Sequence, residues 1–430
     1  MAISTTRGIA LYVGALLGPG LLVLPGLAAA AAGPASILAW IGLLILSGLV
    51  AVVFARFGVS HPSGAGVAGY ARLGLGAWAG RAVGWCFLAG IIAGAPIVCY
   101  LGAGYLASLL GAGRGLTAVA GGAMLAVVVA VTLRGVRTST TVQLVLIGVL
   151  VLVIAVAVVG AAPSSRAANW VPFAPHGWSA IGSAATVLML SFVGWEAIAP
   201  LTDRFADPGR QLPRVIGAAF AITIVVYLAL AAVTVAALGP AAGTSVPMAE
   251  LLSRAIGGSG DAVAAAAAVL LTVATVNAYL TGGASLARTL TARPGPDFPR
   301  WFLAAIVVSG VAGSALLGTG ALSVTAGLSV PSACFLVVYL GCVASAYRVL
   351  PGAVRVAAVV AAVAIVVVLG YAGWATLLPA LVVAASAVPS RRPPASATNS
   401  PTPPRSRAGG SAGASRSTAR RRGPVSPAGG

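Results

Sequence analysis

Of the six acidic residues in this 430-residue chain, Glu196 alone lies inside a long apolar run, at the end of Ser191-Phe192-Val193-Gly194-Trp195-Glu196. A carboxylate at membrane depth is costly unless it is paired or protonated part of the time. Two readings of Glu196 stand. It carries a coupling proton or gates a pathway, or it is a neutral acid that hydrogen-bonds a neighbouring helix and holds a bundle together. The second chemical feature is backbone rather than side chain. Gly18-Pro19-Gly20 falls in the middle of the first apolar stretch, where it removes one N–H and adds two flexible residues. In hydrocarbon such a break is tolerated only where it is buried or lines a cavity. A half-helix that restarts after Gly18 offers free N–H groups and the positive end of its dipole to a carboxylate. The carbonyls stranded before each break, at Leu16 and at Leu190 to Val193, suit an ammonium. Two such breaks facing each other make a receptor for a zwitterion, the shared backbone of α-amino acids. A lone Gly-Pro pair is more simply a passive kink; the second break, at Gly194, is what shifts the reading.

A third cluster, Thr272, Thr275, Asn277, Tyr279, Thr281 and Ser285, gives one apolar segment an unusual polar density. These side chains are either interhelical glue or the lining of a cavity or ion site. The remaining reactive residues carry less. Cys86, Cys99, Cys334 and Cys342 sit in apolar runs without metal-ligand spacing, and read as packing thiols with no disulfide and no metal. His61 and His176 lie in loops. The chain has no lysine, hence no phosphate-binding G-x-x-x-x-G-K-[ST] loop, and no cofactor is expected.

The elements that must position these groups follow from composition. Hydrophobic residues make up 59% of the chain and charged residues 7%, against about a quarter charged in soluble proteins. A soluble enzyme and a disordered chain are both excluded, and the runs lack the alternation of an outer-membrane barrel. The pattern is that of an all-α polytopic membrane protein. A ruler of about 20 apolar residues places twelve spans, near 9–31, 36–57, 80–109, 116–133, 139–161, 179–201, 214–238, 261–288, 301–318, 321–347, 353–369 and 371–388. The first stretch lacks a basic cluster before it, so no cleavable leader is expected. With the N-terminus inside, 22 arginines fall on the cytoplasmic side and three, Arg114, Arg166 and Arg254, outside. That asymmetry favours both termini in the cytoplasm, and explains the net charge of +19 better than nucleic-acid binding does. Residues 1–388 form the membrane domain. Residues 389–430, rich in Arg, Pro and Ser, read as a disordered cytoplasmic tail whose Arg420-Arg421-Arg422 either is merely solvated or touches anionic headgroups. Spans one and six are five apart, and so hold equivalent places in two oppositely oriented repeats, about 9–161 and 179–347, with peripheral helices at 353–388. Paired broken helices at matching positions mark the site of a secondary transporter.

Four stretches resemble a known family. They are Leu17-Gly18-Pro19-Gly20-Leu21-Leu22-Val23-Leu24-Pro25; His61-Pro62-Ser63-Gly64-Ala65-Gly66-Val67-Ala68 leading to Gly84-Trp85; Phe192-Val193-Gly194-Trp195-Glu196 followed by Asp207-Pro208-Gly209-Arg210-Gln211-Leu212-Pro213-Arg214; and Asn277 through Arg288. The chain resembles an amino acid permease of the amino acid–polyamine–organocation superfamily, closest to the bacterial branch of methionine and branched-chain amino acid exporters. The resemblance implies a leucine-transporter-like fold of ten core helices in an inverted 5+5 repeat, with helices 1 and 6 discontinuous. It implies that a substrate carboxylate meets the backbone from Gly18 to Leu21 and the amine meets carbonyls of Leu16, Leu190 and Val193. Trp195 or Tyr100 then gates or lines the cavity, as does Asn277. Two departures stand out. Pro19 replaces the family's usual Ser or Thr, and Gly64-Ala65-Gly66 alters its Gly-Gly. Pro213 in the third stretch suits a first helical position.

The expected activity is secondary active transport of neutral, apolar amino acids across the cytoplasmic membrane by alternating access, coupled to H⁺ and running as an exporter or antiporter. A membrane-embedded enzyme needs clustered carboxylates and a metal that are not here, and a channel or scaffold has no use for two matched breaks.

Overall fold

The computed structural model describes residues 4–61, 66–135, 140–198, 205–291 and 298–387. The expected tail, residues 62–65 of the second motif, and Arg137, Asp203, Arg204, Arg293 and Asp297 lie outside the described residues. The described helices fall within one unit, Met1–Val388.

The first apolar stretch is two helices, α1 (Thr5–Leu16) and α2 (Leu24–Ala32), joined through a 3₁₀ turn at Pro19–Leu22. At 12 and 9 residues neither crosses a bilayer alone. The sixth is similarly divided. Helix α8 (Ala180–Leu188) runs into a 3₁₀ turn at Met189–Phe192, the chain is extended at Val193, and α9 (Trp195–Ile198) starts again. Long continuous helices enclose these broken ones. They are α3 (Ser36–Ser60), α5 (Ala77–Leu109), α6 (Arg114–Leu133), α7 (Thr140–Ala161), α10 (Pro208–Leu238), α12 (Gly260–Thr291), α13 (Arg300–Thr319), α14 (Val324–Val349) and α15 (Ala353–Ala372). Three short helices complete the set, α4 (Gly66–Leu75), α11 (Pro247–Ile256) and α16 (Leu377–Ala387). Among the described residues, nine helical stretches are long and apolar enough to cross a membrane. The chain is a multi-pass membrane protein. Its outer face agrees, since Leu152, Val159, Val225, Val311 and Leu381 are all exposed; such a surface is stable only against lipid.

One expectation on helix starts is corrected. Asp207 caps α10, its carboxylate accepting from the Arg210 N–H at 3.1 Å, and Pro208 takes the first position. A side-chain cap followed by proline is the stronger start signal, so Pro213 lies inside the helix, where it removes one internal hydrogen bond.

Glycines allow the closest helix contacts. A Cβ on Gly102 of α5 would meet the Thr272 hydroxyl of α12 at 2.4 Å, and one on Gly90 would meet the Phe335 ring of α14 at 3.1 Å. Without a hydrophobic drive between helices in lipid, such small-residue packing is what holds a bundle together.

Candidate functional site

Leu17 ends α1 by donating its N–H to Val13 O at 2.7 Å, and the Gly18 N–H turns back to Leu16 O at 3.0 Å. Gly18 is extended (φ −86°, ψ 173°), Pro19 has no N–H, and the Leu21 N–H donates to Gly18 O at 3.1 Å. The Gly20 N–H is therefore the donor that the new turn leaves for a ligand, because the first amides of a helical turn have no internal acceptor. The Leu21 amide is already committed.

Three buried tyrosines hold the stranded carbonyls. The Tyr227 hydroxyl of α10 lies 2.6 Å from Leu16 O and 2.5 Å from Ser191 O, so one side chain touches both broken helices. It carries one proton and can donate to only one carbonyl at a time. The rings of Trp40 and Phe192, each 5.2 Å from that of Tyr227, fix its position. Tyr105 of α5 donates to Leu22 O and accepts from the Met248 N–H of α11 at 3.3 Å. Tyr339 of α14 donates to Glu196 Oε2 at 2.6 Å and lies 3.2 Å from Phe192 O. The same carboxyl oxygen accepts from the Gly194 N–H at 3.0 Å. Glu196 is 3% exposed, so this carboxyl is held by the break it follows and by a facing hydroxyl, with no cation against it among the described residues.

Between the breaks lies a cavity with about 80 Å³ open to water-sized molecules, several times the ~10–15 Å³ that one water needs. Leu16, Gly18, Pro19, Gly20, Leu21, Leu190 and Val193, all expected at the site, line it together. The rest of the apolar wall comes from Ala15 of α1, Gly90, Ile91, Gly94, Ala95 and Val98 of α5, Val276 of α12 and Phe335 of α14. The polar side chains on it are Ser191, Thr275 and Tyr279, and the buried Ser191 hydroxyl has no partner among the described residues. Sequence reasoning did not place the α5 wall or Phe335. Small apolar residues carry no signal of their own, although Gly90 and Gly94 at i and i+4 mark a single helix face.

The structure does not bring the other expected residues into this wall. Trp195 is 1% exposed, with its indole N–H donating to Ser47 at 2.9 Å. Gly194 packs on the α1 backbone, where a Cβ would lie 2.5 Å from Ala15 O. Glu196 stands behind it. Tyr100 is half-buried against the core. Asn277 Oδ1 accepts from Thr132 of α6 at 2.7 Å. The polar density of α12 thus divides by face, Thr275 and Tyr279 toward the cavity, Asn277 toward another helix.

Comparison of the sequence with known proteins identifies the family. The sequence profile of the amino acid permease family fits residues 3–293. An uncharacterized amino acid permease of Bacillus subtilis, YecA, is 32% identical over 401 residues, covering 89% of this chain and 94% of that protein. The L-methionine/branched-chain amino acid exporter YjeH of Escherichia coli is 28% identical, over 88% and 93% of the two chains. A branched-chain amino acid permease of B. subtilis, BcaP, is 25% identical over 52% of each. The chain is a transporter rather than an enzyme, and it belongs to the amino acid permease family of the amino acid–polyamine–organocation superfamily.

Proposed function

We propose that this permease is a secondary active transporter of neutral, apolar amino acids, working by alternating access in the cytoplasmic membrane, with twelve spans, an inverted 5+5 repeat and both termini in the cytoplasm. One observation carries the reading. Two broken helices, tied by the Tyr227 hydroxyl, meet at a cavity whose walls are apolar apart from backbone groups at the breaks and the hydroxyls of Ser191, Thr275 and Tyr279. The Gly20 N–H serves the substrate carboxylate. Of the two carbonyls at Tyr227, the one it does not satisfy at a given moment serves the ammonium, together with carbonyls of Leu190 and Val193. Ile91, Val98, Val276 and Phe335 receive an aliphatic side chain, and no charged residue lines the cavity to receive an acidic or basic one. Branched-chain amino acids and methionine fit that description, and the E. coli relative, an exporter of methionine and branched-chain amino acids, supports export.

The hydrogen-bond geometry supports Glu196 as the coupling group. With the carboxylate ionised, Tyr339 and the Gly194 N–H both donate to Oε2. Protonation of Oε2 makes it the donor, and Tyr339 then turns its own proton to Phe192 O, 3.2 Å away. One proton thus changes whether Tyr339 satisfies a carbonyl at the sixth break.

The deciding experiment is uptake and counterflow of labelled leucine, isoleucine, valine and methionine in proteoliposomes, with and without a pH gradient. Gradient-driven accumulation of these, competed by one another but not by arginine or glutamate, supports the reading. Transport of charged amino acids only overturns the substrate class.

A further inference from the structure

A second, larger space lies on the outside of the bundle. It is a groove of about 770 Å³ between α3 and α10, touched by Val354 of α15. Its wall on α3 runs from Ile41 to Val59, which at 1.5 Å per residue is about 27 Å, close to the thickness of a hydrocarbon core. Every lining residue is apolar except Arg56, at the end shared with Gly209 and Pro213. Gly217 gives the groove depth, since a Cβ there meets nothing within 4 Å. The groove is open to the surroundings, with Ile45 and Val52 on its rim well exposed.

Among the described residues, charge at the Arg56 end is net positive. Arg210 and Arg214 project from the first turns of α10 and are exposed. The acid nearby in the chain, Asp207, is occupied by capping α10 and by Arg210 at 3.8 Å. Arg56 has no acidic partner among the described residues. A long apolar slot with cationic groups at one end complements an amphiphile whose head is anionic. A zwitterionic head brings an ammonium that Arg56 and Arg214 repel, whereas a net negative phosphate is attracted to basic residues near a membrane surface.

The groove also backs onto the transport site. Phe220, on its floor, packs on Trp195 with ring centroids 6.3 Å apart, and Trp195 donates to Ser47 beside Gly48. Trp195 is the residue that follows the Gly194 break.

We propose that this groove binds an anionic glycerophospholipid, one acyl chain between α3 and α10 and its phosphate against Arg56, and that the bound lipid supports transport by backing Phe220 and Trp195. The binding part does not depend on which amino acid is carried. The transport part rests on the proposed function.

The test uses the full-length protein and phosphatidylglycerol. Native mass spectrometry of protein exchanged against equal phosphatidylglycerol and phosphatidylcholine should show at least a fivefold preference for the former in wild type. Arg56→Gln should bring the preference near parity, Arg56→Lys should keep most of it, and Gly217→Leu, which fills open space, should lower retention of both lipids. Leucine transport in vesicles containing one quarter phosphatidylglycerol should exceed that in pure phosphatidylcholine at least threefold, a ratio that falls toward one in Arg56→Gln. The arginine-rich tail is present throughout, so its own attraction for anionic lipid cancels. An unchanged preference in Arg56→Gln together with unchanged retention in Gly217→Leu overturns the site, as does a dimer lost in Gly217→Leu with lipid retention intact, which would make a second copy the occupant. If Gly217→Leu does not fold, the two Arg56 variants decide alone. Loss of the preference with an unchanged transport ratio overturns the supporting role and leaves the site. Absence of leucine transport in any vesicle counts against the proposed substrate, not against the lipid.

Discussion

A Cβ added to Gly18, at the first break, meets nothing within 4 Å, whereas one added to Gly194, at the sixth, would lie 2.5 Å from the Ala15 carbonyl oxygen and 2.8 Å from its carbon. Both glycines interrupt helices, yet one faces the cavity and the other is wedged against the backbone of the first helix. Neither has a positive φ that demands glycine. The comparison separates two uses of the residue. At Gly18 the missing side chain leaves room for a ligand. At Gly194 it lets the two broken helices touch, which brings Leu16 O and Ser191 O within reach of one hydroxyl.

Gly194→Ala should therefore have the largest effect. The obstructing atoms are backbone, which cannot swing aside as the end of a side chain can, so the helices must separate. Overpacking of this kind costs about 1–3 kcal/mol, and the displacement falls on the transport geometry itself. Expected are a clear drop in Tm in detergent and transport below about a tenth of wild type. A variant with wild-type Tm and wild-type counterflow would show that the contact with Ala15 is not needed.

Next comes the carboxyl behind that break. Glu196→Gln keeps an acceptor for the Gly194 N–H and a polar partner for Tyr339, but it cannot change protonation. Gradient-driven accumulation should fall at least tenfold while counterflow stays within about threefold. The pH response is the discriminating measurement. A variant that follows pH as wild type does would return Glu196 to the purely structural reading, in which its hydrogen bond with Tyr339 joins α14 to the broken helix.

Tyr227→Phe addresses what the two breaks share. It keeps the ring packing on Trp40 and Phe192 and removes the proton offered to Leu16 O and Ser191 O. A buried acceptor left without its donor costs about 1–3 kcal/mol, so KM for leucine should rise by about fivefold to a hundredfold at 1.4 kcal/mol per decade. The effect should be smaller for turnover, because the tie positions the carbonyls rather than moving them. An unchanged KM with a reduced maximal rate would assign Tyr227 to the conformational step instead.

Both breaks and the isolated acid were legible in the sequence because each violates what an apolar helix tolerates. Gly18-Pro19-Gly20 removes a donor in hydrocarbon, and Glu196 places an acid where acids are costly. Their partners were not legible. Tyr339 reaches Glu196 across 143 positions and Tyr227 reaches Leu16 across 211, and a tyrosine in an apolar helix reads like any other buried aromatic residue. The sequence offered no cation for Glu196, and the structure supplies a neutral hydroxyl. Trp195 beside the break suggested a gate, yet its indole is turned to Ser47. Side-chain direction around a broken helix depends on backbone angles that spacing rules for regular helices do not describe.

Gly18→Ala should have the smallest effect and tests the other half of the comparison. The extended conformation at Gly18 is open to any residue, the added methyl group enters free space, and no helix contact is disturbed. Tm should stay within about a degree of wild type, a change on the order of the ~0.5 kcal/mol scatter of neutral substitutions. The methyl group does enter the ligand's side of the cavity, so KM should rise by a modest factor, about two to five, and more for isoleucine and methionine than for alanine. That size dependence is what distinguishes a cavity-facing glycine from a packing one. If Gly18→Ala destabilises the fold as Gly194→Ala does, the two glycines share one role and the asymmetry between the breaks is lost. If it leaves every substrate unaffected, the ligand does not approach the first helix at Gly18.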